Sequence, residues 1–254
     1  GGFKKTLAAA APVAVICDVP TLAAAPKELI AAGIGDTLCR STIQADWLLS
    51  HLLLESPYEP AYFDWLRESE TRLLNDPGDV EALIEAILIS GLAMRDFGSS
   101  APASQGEHML AHTMEMLFPA LPHAFHGLTI AVTALEHARR QQRLLEAERV
   151  QIAFPPRFDA LPAHLRPEAE QQYRKKLPHA SAVEALNSKL QEYWPQMAER
   201  LAPHFLPPSA LEVVLEAAGC PIHPQEIQWP PEKFDQACQL AHLTRDRFTF
   251  LDLQ

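Results

Sequence analysis

Glycine is scarce in this chain, with 10 in 254 residues, and nowhere do the glycines gather into GxGxxG or a Gly-rich strand-to-helix turn. That leaves no cradle for a pyrophosphate, so no cofactor-binding residue is assigned. The four cysteines, Cys17, Cys39, Cys220 and Cys238, show no CxxC spacing. They read as reduced thiols of a cytoplasmic protein, filling space as small core residues rather than serving as ligands or nucleophiles. Basic residues are outnumbered, 21 against 32 acidic, for a formal charge of −11. Phosphate-backbone binding needs clustered Lys and Arg, so nucleic acid is excluded as a partner. No run of about twenty uncharged apolar residues occurs, so no membrane span is expected. An Ala-rich opening through residues 7–17 has a loose signal-peptide composition, but Pro12 interrupts it and Asp18 ends it; a connecting segment with one buried strand fits better.

What is present is helical patterning. Hydrophobic residues make up 48% of the chain, ample for a buried core in one large domain or two smaller ones. PVAVICDV at 12–19 is the one convincing strand, a continuous apolar run rich in Val and Ile, and its open edge would invite self-association. Lys27 and Glu28 open a helix expected to end near Gly33. From Thr37 the apolar positions Leu38, Ile43, Trp47, Leu48 and Leu52 recur at three to four residues. A second helix is expected over 62–74, followed by the Asn75-Asp76-Pro77-Gly78 turn and a helix capped by Asp79 or its neighbour running to Met94. Residues 98–104, GSSAPAS, form a loop, either a polar wall facing a substrate or a flexible connector. A long helix over 128–145 carries Arg139, Arg140 and Arg143, which could reach a phosphate or form a solvated face. Residues 160–178 read as a Pro- and charge-rich connection with at most short helices. Helices follow over 181–201, with Ser181 and Glu184 spaced as a capping box, and over 209–218, with Gly219 as its C-cap. A last helix spans 232–243. Arg245, Asp246 and Arg247 are expected to form a salt-bridge knot while Phe248, Phe250 and Leu251 enter a core.

The segment that organises the chain runs from Gly98 to Gly127. His108 and His112 are four residues apart among helix formers, so both rings project from one helical face. His123 and His126 follow after a Pro-bounded turn. Two imidazoles on one turn and a third from the next segment can meet at one centre, and Asp36, after the Gly-Ile-Gly turn, would add a carboxylate. Asp36 is expected at a helix start, where the partial positive charge of the N-terminus favours its ionised form. One Asp and two His with an open position make a Lewis-acid site rather than a closed structural one.

AAPKELIAAGIGDTL, SAPASQGEHMLAH, HG opening an apolar helix, and TRDRFTFLDL together resemble sn-glycerol-1-phosphate dehydrogenase, of the superfamily of glycerol dehydrogenase, iron-containing alcohol dehydrogenase and 3-dehydroquinate synthase. GGFKKT followed by APVAVICDV is similar to the family's passage between its two domains. The resemblance implies a mainly α fold, a multi-helix bundle with one N-terminal strand, like the C-terminal domain of the dehydroquinate-synthase-like fold. Residues 1–20 would be interdomain connection and strand and 21–254 the all-α metal-binding domain, with the N-terminal dinucleotide-binding domain absent. It implies metal ligation by Asp36, His108 and His126, a proton-relay or substrate-orienting role for His112, and a substrate or phosphate contact at Lys4 or Lys5; the polar-wall reading of the 98–104 loop adds Ser104 as a substrate contact.

The implied reaction is NAD(P)-linked interconversion of dihydroxyacetone phosphate and sn-glycerol 1-phosphate on a divalent metal, zinc first, with iron, nickel and manganese as alternatives. The substrate would be a small phosphorylated polyol, and the isolated chain would be inactive for want of its cofactor half. Another polyol or alcohol dehydrogenase of the superfamily, or a non-catalytic metal-binding or self-associating helical domain, are the alternatives. A synthase-like lyase is disfavoured by Cys39, where synthases carry Lys. Leu128 and Thr129 after Gly127 depart from the acidic residue and Gln that usually follow in relatives, removing polar groups that would orient the ligand.

Overall fold

Helix follows helix along this chain because the apolar residues recur at the 3.6-residue period almost throughout. The computed structural model describes Phe3 and residues 9–254; Lys4 and Lys5 lie outside the described residues. In order, the α-helices are α1 (Val19–Ala23), α2 (Lys27–Leu38), α3 (Arg40–Leu54), α4 (Ala61–Asn75), α5 (Val80–Phe97), α6 (Gly106–Leu117), α7 (His126–Leu145), α8 (Arg166–Lys176), α9 (Ala180–Leu201), α10 (Pro208–Ala217) and α11 (Pro231–Leu240). None of the described helices is long and apolar enough to cross a membrane.

Two apolar clusters meet along α3 and α7. One gathers Ile34 and Leu38 of α2, Leu66 and Leu73 of α4, Leu83 of α5, Ile130 and Leu135 of α7, and Leu211 of α10. The other joins Leu49 and Leu53 of α3 to Tyr173 of α8, Trp194 of α9 and the C-terminal Phe248 and Phe250. Burying the last two rings is what draws the tail inward, as their alternation with polar neighbours predicts. Arg140 then locks the tail, donating to the carbonyls of Phe250, Leu251 and Leu253. The guanidinium read from sequence as a phosphate contact or a solvated face is thus consumed by carbonyls that a turn without a ladder leaves open.

Several local expectations are met by the physics that suggested them. Asp79 accepts from the Ala82 amide at 2.9 Å and caps α5. Gly219 takes φ +74° after α10, the left-handed position glycine occupies without strain.

Others need correction. The 12–19 strand does not form: Val13 and Ile16 are fully exposed, and the sole β-bridge among the described residues joins Ile152 to Leu253, so the segment has no ladder to enter. α2 does not end at Gly33 but runs through both glycines to Leu38. α8 occupies what reads as a connection, because Lys176 is an inward residue there, bonded to the carbonyls of His242 and Arg247 and to Asp252. Ser181 does not cap α9. The helix starts one residue earlier, and His179 takes the cap, its ring accepting from the Ala182 amide. Residues 245–247 form no knot: Asp246 faces Lys175 at 3.7 Å, and Arg247 donates to Ser100 and to the Ser104 carbonyl.

Candidate metal centre

Where α2 crosses α7, neither helix carries a side chain at the point of contact. A Cβ on Gly35 would lie 2.3 Å from the Gly127 carbonyl oxygen, and one on Gly127 would lie 1.7 Å from the Ala32 carbonyl oxygen. Each glycine costs its helix about 1 kcal/mol against alanine, and the backbone-to-backbone approach is what they permit. Their neighbours Asp36 and His126 are thereby brought face to face. Asp36 Oδ1 lies 3.9 Å from His126 Nε2.

Asp36 therefore sits in the last turn of α2, not at a helix start, and the dipole there opposes its charge. Two imidazoles face its carboxylate instead, since Oδ1 is also 3.4 Å from His108 Nε2. One donor atom each from Asp36, His108 and His126 falls within a mutual 4.8 Å. Ligands about 2.0–2.1 Å from a tetrahedral zinc are separated from one another by roughly 3.3 Å. The three residues are close to that arrangement already, and their hard and borderline donors suit a divalent ion.

His108 comes from the first turn of α6, which is docked by a second glycine contact. A Cβ on Gly106 would strike the His137 ring at 2.4 Å. The Gly106 amide donates to Asp46 Oδ2 at 2.9 Å, and His137 Nε2 sits 2.7 Å from the same oxygen. The other Asp46 oxygen accepts from the Phe250 amide and, more loosely, from Gln141. Asp46 is fully buried and fastens α3, α6, α7 and the C-terminal turn together. Asp46, Glu107 and His137 also have the spacing of an ion site, but the protein's own donors occupy the Asp46 oxygens.

Glu107 supplies the orientation of His108. Its carboxylate is completely buried and accepts from the Gln105 amide at 2.7 Å and from Thr42 Oγ1 at 3.1 Å, with His108 Nδ1 at 2.8 Å. A proton on Nδ1 leaves Nε2 as the lone-pair nitrogen aimed at Asp36. Burial pushes the Glu107 carboxyl up, but the His108 hydrogen bond and the His108 and His137 charges outweigh it and hold it below its usual range. Burial likewise pushes His108 down, and the Asp36 and Glu107 hydrogen bonds reverse the sign and raise it. Cys39, also within reach of Glu107 and His108, is held well above the ordinary thiol range, first by burial and then by Glu107 and Asp36. It stays a thiol and donates to the Asp36 carbonyl.

His112 lies one turn on, its ring stacked on His126 at 5.5 Å between centroids and 12° between planes. Glu115 Oε2 is 3.2 Å from its Nδ1, and that hydrogen bond is the main reason the Glu115 carboxyl lies below its usual range. His112 also lines a cavity of about 210 Å³. Ser104 is elsewhere, 3% exposed and outside the lining of that cavity. Glu107 and Glu115 escape sequence reading because each looks like an ordinary helix former; only the spacing of a carboxylate next to or three residues from a His signals them.

No family model matches the chain. Among curated proteins, the glycerol-1-phosphate dehydrogenase (NAD(P)+) of Geobacillus thermodenitrificans is 30% identical over 265 residues, covering 98% of this chain and 59% of the relative. The Halalkalibacterium halodurans protein of the same name is 40% identical over 125 residues, 46% of this chain and 31% of its own. The Thermococcus kodakarensis one is 35% identical over 156 residues, 57% and 44% respectively. The chain spans about three-fifths of the length of the relatives that it matches from end to end.

Proposed function

Since the chain belongs to the glycerol-1-phosphate dehydrogenase family, we propose that it supplies the metal and substrate half of an NAD(P)-linked oxidoreductase interconverting dihydroxyacetone phosphate and glycerol 1-phosphate. The observation that carries this reading is the convergence of Asp36, His108 and His126, three donor atoms from three helices within 4.8 Å. These three residues would hold a divalent ion, zinc foremost. Bound there, the ion supplies Lewis-acid polarisation of the ketone carbonyl.

The chain's own groups do the rest. Glu107 fixes the His108 tautomer and ring plane. The glycine contacts at positions 35, 106 and 127 set the ligand-bearing helices at the separation the site needs. Reduction of the ketone adds a hydride at carbon and a proton at oxygen. His112 holds that proton, with Glu115 on its Nδ1 face to keep the imidazolium stable when it carries charge. In the reverse direction the same imidazole accepts the hydroxyl proton. The nicotinamide is assigned no contact in this chain.

The test is zinc titration of the purified chain followed by elemental analysis. One equivalent is expected, falling to below a tenth in Asp36→Asn and in His108→Ala. A parent chain that takes up no zinc, or variants that keep theirs, would overturn the assignment.

A further inference from the structure

The cavity beside His112 is walled by Met109 of α6, by Lys175 of α8, and by Thr244, Arg245 and Asp246 after α11. The Thr244 hydroxyl meets that of Thr113 at 3.1 Å, which pins the residue before Arg245 to the helix that carries His112. At about 210 Å³ the cavity is smaller than the pockets that take drug-sized ligands, a size for a few carbons and one polar head. Its charged lining is two cations against one carboxylate, and Lys175 is half exposed and faced by Asp246 at 3.7 Å.

Arg245 is different. Its Nη1 is buried and meets no hydrogen-bond acceptor among the described residues. A buried guanidinium nitrogen left without an acceptor is costly, whereas Arg140 and Arg247 are committed to main-chain carbonyls. Arg245 lines this small, net-positive cavity, and the fork of N–H groups of a guanidinium matches a phosphoryl group, which can accept two of them at once.

We propose that Arg245 is the phosphate-binding residue of this cavity, taking the phosphoryl group of a small phosphorylated substrate whose carbon chain lies along Met109 towards His112. This rests on the reading of the site given above. Thr244, tied to Thr113, is the positioning residue that sets the guanidinium against α6.

The test uses inorganic phosphate, titrated calorimetrically into the zinc-free chain so that no metal competes for the anion. Arg245→Gln is expected to weaken phosphate by at least about tenfold, while Gly91→Ala, on the exposed face of α5, leaves it unchanged. Mass spectrometry on the native chain supplies a measurement that needs no variant. Phosphate should protect Arg245 from phenylglyoxal, and glycerol, which lacks the phosphoryl group, should not. Equal phosphate affinity in parent and Arg245→Gln, no phosphate binding by the parent, or no protection of Arg245 would each overturn the proposal. Zinc uptake reports separately on the metal reading: loss of zinc in the parent chain sinks that reading, whereas intact zinc with Arg245-independent phosphate sinks this one alone.

Discussion

Gly127→Ala sets a helix propensity against a steric contact, and the structure states which wins. In an exposed helix interior, alanine for glycine stabilises by about 1 kcal/mol. At position 127 the new Cβ would stand 1.7 Å from the Ala32 carbonyl oxygen, a backbone atom that cannot swing aside. Ordinary van der Waals contact begins near 3.4 Å, so α2 and α7 must part by about 1.7 Å, the difference between those two distances. Overpacking of this kind costs about 1–3 kcal/mol, which exceeds the propensity gain. The same displacement acts on the 3.9 Å between Asp36 and His126, and a gap widened by that much takes His126 out of reach of an ion that Asp36 and His108 would hold. Zinc affinity should then fall at least about tenfold, as when one orienting or ligating group is lost.

Urea unfolding and zinc titration measure the two effects on one sample. Gly91→Ala is the matched control: it is in α5, exposed, and a Cβ there meets nothing within 4 Å. It should raise stability by about 0.5–1 kcal/mol and leave zinc untouched. If Gly127→Ala behaved as Gly91→Ala does, the close helix crossing would not be what builds the site.

Glu107→Gln replaces the carboxylate partner of His108 Nδ1 and should lower zinc affinity about 10–100-fold, read by competition with a chromophoric chelator. Asp46→Ala strands the buried Gly106 and Phe250 amides, each worth about 1–3 kcal/mol unpaired; denaturant unfolding should show a loss of at least about 2 kcal/mol, and a smaller loss would deny Asp46 its fastening role. Burial, then Lys176 and Arg140, push His242 down to about 3. Because the folded value lies below the unfolded one of about 6.5, its contribution is complete above pH 6.5 and is lost progressively as pH falls towards 3. At pH 5 that is at most about 2 kcal/mol, and His242→Gln should flatten the stability curve between pH 6.5 and 5, a change that thermal melts at the two pH values would detect.

What the order of residues determined by itself was everything that depends on neighbours within a turn or two. The period of the apolar positions, Asp79 ahead of its helix, Gly219 behind another, and two histidines four apart on one face are all settled by interactions over a few residues, so they can be read without knowing where anything else lies. The GEHMLAH and HG segments carried the family likeness for the same reason. Tertiary structure decided what those pieces meet. Asp36 was expected at a helix start because a Gly-Ile-Gly stretch looks like a turn, and only the α2–α7 crossing shows that the glycines are there for contact inside a continuous helix. The strand at 12–19 has the composition of a strand, but a strand exists only when paired, and pairing belongs to the whole fold. Arg140 and Lys176 look like surface charges until the carbonyls they hold, more than 60 residues further along the chain, are known. Glu107 is an ordinary charged residue by pattern, and only its burial against His108 shows what it does. Short-range propensity writes the helices, and contact between residues far apart in sequence makes the site.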